Sequence, residues 1–162
     1  MLDRAALTAA LNDVAERHEV LRTVFPEGGG QHITAPDITL QDGGSIQEAA
    51  TTPFDLTRET PFRAHLIDHT TLVLVLHHIA CDGWSLAPLA RDLATAYTAR
   101  THNHPPRWTP LPVQYADYTL WQHELLGDEN NPDSRAAQQL TYWTTQLAGL
   151  PEEITLPTDR RR

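Results

Sequence analysis

At 162 residues, with 40 % hydrophobic and 20 % charged residues, the chain is long enough to bury a core and too apolar to be a disordered segment. Its formal charge of −9, with basic residues clustered only at Arg160-Arg161-Arg162, argues against a nucleic-acid partner, which selects a basic stripe. The single cysteine, Cys81, excludes an intramolecular disulfide, no run reaches the roughly 18 apolar residues of a membrane span, and Met1-Leu2-Asp3 does not open a signal peptide. No membrane partner is expected, and the cytoplasm is the default location.

Asp3 is placed to cap a helix reaching about Glu16, in which Leu7, Leu11 and Val14 recur at three- and four-residue spacing. Val20 to Phe25, rich in β-branched and apolar residues and closed by Pro26 and Gly28-Gly29-Gly30, predicts a strand and then a turn. Gln31 to Thr34 predicts a short strand, and Ser45 to Ala50 one or two helical turns before Pro53. Phe62–Ile67 and Thr71–Leu76, separated by Asp68-His69-Thr70, predict an antiparallel hairpin. The second run lacks alternation, which predicts a central strand covered on both faces.

From Trp84 to about Ala99, Leu86, Leu89, Leu93 and Tyr97 repeat at helical spacing, with Pro88 in the first turn and Arg91 and Asp92 expected to face outward. Arg100 to Pro112 carries four prolines and predicts a surface loop. Two further helices follow, roughly Val113–Leu126 and Asp133–Leu147, and the chain runs out through Leu156-Pro157-Thr158-Asp159-Arg160 in a connector-like stretch.

Chemistry concentrates at His77-His78-Ile79-Ala80-Cys81-Asp82-Gly83, between the hairpin and the following helix. A strand end delivers a side chain rigidly, a turn aims backbone N–H groups into a cleft, and a helix N-terminus favours developing negative charge. Neighbouring strand residues point to opposite faces, so one histidine is expected to act and the other to support. A neutral imidazole there can take a proton from an amine or alcohol near neutral pH. A buried Asp82 carboxylate would need a cation, with Arg22 the first choice and Arg17 the second. A metal set of His77, His78, Cys81 and Asp82 is disfavoured because neighbouring ligands diverge, so no metal is expected. Nothing marks a base and an oxyanion site around Cys81 as nucleophile.

The run Leu76 to Leu86 resembles the His-His-x-x-x-Asp-Gly signature of nonribosomal peptide synthetase condensation domains, within the chloramphenicol-acetyltransferase-like superfamily. Arg17-His18-Glu19-Val20-Leu21-Arg22-Thr23-Val24-Phe25 is similar to the family's second core motif, and Gln114 to Gln122 to its fourth. Pro53-Phe54-Asp55-Leu56 with Pro61-Phe62-Arg63-Ala64, and Tyr142-Trp143 with Leu147 to Pro151, match intervening segments in the right order.

The resemblance implies an α/β fold, one lobe with a mixed sheet flanked by helices, lacking the family's first helix and strand. Residues 1–150 would form a partial N-terminal lobe and 151–162 the start of a linker to a C-terminal lobe. It implies peptide-bond formation between carrier-tethered thioester and amine, with His78 as base or positioning group and the Gly83 N–H near the developing oxyanion. His77, Asp82, Arg22 and Arg17 would support the motif, and Trp84 and Ser85 would line the cleft, core packing being an equal prospect for Trp84. No cofactor would bind directly. The phosphopantetheine arms would arrive on donor and acceptor carrier proteins, beside a second lobe and an adenylation domain. The competing readings are a carrier-dependent epimerase, an ester-forming acyltransferase and a non-catalytic docking fragment.

Overall fold

A computed structural model describes residues 2–151 and 153; the stretch from Leu156 to Arg160 lies outside them. The chain divides after Asp117 into two compact units.

The first unit opens with α1 (Arg4–Arg17), capped by Asp3, whose carboxylate accepts the Ala6 N–H at 3.0 Å. The predicted stripe of Leu7, Leu11 and Val14 is buried. A strand over Val20–Phe25 does not form. Glu19–Arg22 is a 3₁₀ turn, and only Thr23–Val24 is extended, as β1, paired antiparallel with β2 (His32–Ile33). Local side-chain bonds outcompete strand propensity here: the Thr23 hydroxyl donates to Glu19 O at 2.7 Å and Arg22 Nε to Ala15 O at 3.0 Å, closing the chain back on α1.

Next come β3 (Leu40–Asp42) and α2 (Ile46–Thr51). The Ser45–Glu48 capping box explains why so short a helix starts cleanly. The predicted hairpin is present as β4 (Phe62–Ile67) and β5 (Thr71–Leu76), turning through Asp68 and His69 at φ 52° and 57°. The sheet is mixed, in the order β3-β4-β5, with β3 parallel and β5 antiparallel to β4. The central strand is therefore β4, and β5 lies at the edge among the described strands. Its missing alternation reflects half-burial on both faces: Leu72, Leu74 and Leu76 pack on the core, and α2 lies against the strand.

After the turn, α3 (Leu86–Thr101) packs against α1, and both cover one face of the sheet. Leu11 and Val14 meet Leu89, Ala96, Phe62, Ala64 and Leu66 in one cluster. Each of the buried leucine, valine and phenylalanine side chains contributes about 1.5–3 kcal/mol. An ion pair closes the α1–α3 seam, with Arg100 Nε donating to the buried Asp13 at 2.7 Å. Asp92 does not face outward: it lies on the buried stripe with Leu89 and Ala96.

The helix α4 (Tyr115–Leu126) runs on into the second unit, which also holds α5 (Arg135–Gln146). Within that unit Gly127 ends α4 at φ 72°, its N–H donating to His123 O at 2.9 Å, and an added Cβ would lie 3.1 Å from Ser134 Cβ. Ser134 is the α5 cap, so it cannot retreat freely. Gly127→Ala is expected to cost about 1–2 kcal/mol through the left-handed backbone alone, measured as a loss of α4–α5 amide protection. Among the described residues no helix is long and apolar enough to cross a membrane.

Candidate active site

The two histidines sit one and two residues beyond β5, where the ladder gives way to a turn. The His77 N–H still donates to Pro61 O at 2.9 Å, and its C=O accepts the Ala80 N–H at 3.0 Å. Its ring is committed locally: Nδ1 accepts the Ile79 N–H at 3.0 Å, so the proton of the neutral imidazole resides on Nε2. The ring also lies perpendicular to Phe54 with centroids 5.8 Å apart. His78 differs on every count. It is exposed, and its imidazole makes no hydrogen bond among the described residues.

Gly83 is exposed as well; a Cβ placed there meets nothing within 4 Å, and its φ lies outside the left-handed region. Neither local strain nor local packing demands glycine at this position.

Asp82 is not buried, and neither arginine reaches it. Its carboxylate accepts from Ser85 Oγ at 2.6 Å and from the Ser85 N–H at 3.0 Å, while Ser85 Oγ accepts the Asp82 N–H at 3.2 Å. These reciprocal bonds close the turn that leads into α3. The Ser85 hydrogen bonds hold the Asp82 carboxyl below its ordinary range, so the pair persists through that range and is lost as pH falls through the depressed folded value. Ser85 is thus a structural partner of Asp82 in addition to lining the cleft. The Asp-x-x-Ser spacing was the available sequence signal.

Both arginines serve elsewhere. Arg22 binds Ala15 O and Thr34 O and pairs with Glu19. Arg17 Nε donates to Asp92 Oδ2 at 2.9 Å and NH1 to Thr109 O at 2.8 Å, and its guanidinium lies 4.9 Å from the Trp108 ring centroid. His18 Nε2 meets the same Asp92 oxygen at 2.8 Å. Burial pushes the Asp92 carboxyl up, but the hydrogen bonds from His18 and Arg17, with the Arg17 charge, outweigh it and hold the group below the usual carboxylate range. His18 is therefore part of a half-buried three-member network centred on the buried Asp92. Gln114 adds a second tie, donating to Arg17 O at 2.9 Å.

Beside this network lies an apolar cleft of about 350 Å³, bounded by His18, Leu21, Leu76, Cys81, Trp84 and Ser85 among others. Trp84 is 91 % exposed, so it is not packed in the core of this unit, and its side chain borders this cleft. The lining does not include His77, His78 or Gly83. Burial raises the Cys81 thiol above its ordinary value, the wrong direction for a thiolate nucleophile.

A mixed sheet covered by helices, with a histidine turn leading from β5 into α3, makes the first unit an α/β domain. The Condensation domain family matches residues 1–162, and the chain belongs to that family. It is 54 % identical, over 99 % of its length, to the nonribosomal peptide synthetase CymA of Salinispora arenicola (strain CNS-205), and 48 % identical over 99 % to the dimodular nonribosomal peptide synthase of Bacillus subtilis (strain 168). The chain spans 2 % and 8 % of those two proteins. Among solved structures it is similar to the X-domain from teicoplanin biosynthesis in complex with OxyB, with a TM-score of 0.84 at 39 % identity, covering 99 % of this chain and 39 % of that one.

Proposed function

We propose that the chain contributes the histidine-bearing lobe for amide-bond formation in nonribosomal peptide synthesis, acting in the cytoplasm. The donor is an aminoacyl or peptidyl thioester on one carrier protein, and the acceptor is the amine of an aminoacyl group on another. The observation that carries the reading is the contrast within the turn: His77 is locked by four contacts, while the neighbouring His78 is exposed with an uncommitted imidazole.

In this reading the amine nitrogen attacks the thioester carbonyl carbon, the C–N bond forms, the C–S bond breaks, and the carrier thiol leaves. His78 takes the amine proton or orients its lone pair. The Gly83 N–H faces the carbonyl oxygen as it gains charge, and the missing side chain leaves room for the thioester. Asp82 and Ser85 hold the turn without touching the reacting atoms. The phosphopantetheine arms belong to the carriers, so the reading needs no cofactor resident on this chain.

The chain covers 39 % of the X-domain chain it resembles, which supports the reading of one lobe of a two-lobed unit, beside a synthetase's adenylation domain. Positioning two tethered reactants supplies much of the rate, and one wall of a tunnel forgoes it. Incubated with loaded donor and acceptor carriers, these 162 residues are expected to bind both weakly and to form little dipeptidyl product. Turnover equal to that of an intact two-lobed domain would overturn the one-lobe reading. A docking role is the second reading, favoured by the relative that was solved in complex with OxyB. Carrier binding that persists with no product in any two-lobed context would select it.

A further inference from the structure

We propose that Phe54 and Arg63 are positioning residues that set the orientation and tautomer of His77, and through the turn the placement of His78. The relay starts at Arg63 on β4, opposite Val75 of β5, two residues before His77. Its guanidinium is fixed by four bonds. Nε and NH2 fork onto Glu59 at 3.1 and 2.7 Å, NH1 donates to Thr52 O at 3.0 Å, and NH2 donates to Pro53 O at 2.7 Å.

Those two carbonyls immediately precede Phe54, so the arginine clamps the backbone that carries the ring. The same guanidinium lies 3.9 Å from the Phe54 ring centroid, a cation–π contact on a side chain only 12 % exposed. Phe54 is thus held by its backbone and by its face. It then meets His77 at a perpendicular angle, 5.8 Å between centroids.

The loop from Thr52 to Pro61 consequently touches His77 twice, through the Phe54 ring and through Pro61 O, which accepts the His77 N–H at 2.9 Å. With backbone and ring both fixed, Nδ1 is delivered to the Ile79 N–H at 3.0 Å. That bond spans His78 and fixes the backbone on either side of it. Hydrogen bonding from Arg63 holds the Glu59 carboxyl below its usual range. A packing role alone would need an apolar ring against an apolar neighbour; here the phenyl ring sits between a cation and an imidazole.

The functional purpose of the relay rests on the reading of His78 given above, whereas its geometry is tested independently of turnover. In nitrogen NMR of the 162-residue chain labelled at histidine, neutral His77 is expected as the tautomer protonated at Nε2, with a slowly exchanging Ile79 amide. Phe54→Leu is expected to mix the two His77 tautomers and to speed Ile79 exchange about tenfold, the loss of one hydrogen bond of ordinary net strength. Phe54→Trp, which keeps a π face, should restore both, and Arg63→Met should reproduce the leucine phenotype.

The amide spectra of α1 and α3 report whether each variant is folded. A wild-type His77 protonated at Nδ1, a result that needs no variant at all, overturns the proposal. So does a folded Phe54→Leu chain with an unchanged tautomer and unchanged Ile79 protection. If the tautomer responds as expected but no histidine substitution affects product formation in a two-lobed domain, the relay stands and the condensation reading fails.

Discussion

Replacing Asp92 by alanine is expected to destabilise the first unit by about 3–5 kcal/mol, the cost of leaving a buried charge without its partner. Asp92 is 7 % exposed, and its Oδ2 receives both Arg17 Nε and His18 Nε2. Removing it strands the guanidinium beneath Trp108 and leaves the His18 imidazole without an acceptor. Urea unfolding followed by helical circular dichroism measures the loss; a change below about 1 kcal/mol would mean that the network is solvated.

The same group sets an acid limit. Its folded-state carboxyl is depressed, so the stabilisation is complete above the ordinary aspartate value of about 3.9. It is lost as pH falls through the folded value, where the folded chain must take up a proton that the unfolded chain already holds. Wild-type stability should therefore decline steeply below about pH 4, and Asp92→Ala should decline less steeply over the same range.

How much of this was legible in the sequence depended on the range of the interaction. Elements defined by their own periodicity were readable: the Leu7-Leu11-Val14 stripe, the Phe62–Leu76 hairpin, and the helix carrying Leu89 and Leu93. Val20–Phe25 was not, because β-branched composition describes what a pleated surface tolerates, whereas the Thr23 hydroxyl and the Arg22 guanidinium bond back onto the preceding helix and its 3₁₀ extension. Asp92 shows the complementary limit. Its spacing from Leu89 and Ala96 placed it on the buried stripe, but its polarity pointed outward, and the partners that resolve the conflict lie 74 and 75 residues away.

The site divided the same way. The histidine turn was identifiable from its motif, but the cation assigned to Asp82 was not there. The premise of burial was wrong, and an exposed carboxylate three residues before a serine finds its partner within the local turn. Nothing in the sequence around Phe54 and Arg63 shows that Arg63, on β4, holds the Phe54 ring against His77.

In a two-lobed domain supplied with loaded carriers, His78→Ala is expected to lower product formation by about 10²- to 10⁴-fold, the span ordinarily lost with a general acid–base group. Stability should change by less than about 0.5 kcal/mol, because the imidazole is exposed and makes no hydrogen bond among the described residues. Gly83→Ala provides the sharper dissociation. The added methyl meets nothing within 4 Å and the backbone accepts any residue, so the chain alone should fold and melt as before. If the space over Gly83 is where the thioester approaches, turnover falls while carrier affinity holds, since the methyl obstructs the reacting centre and not the protein surfaces that dock. Unimpaired turnover by Gly83→Ala would place the oxyanion elsewhere and leave His78 as the turn's only contribution to the chemistry.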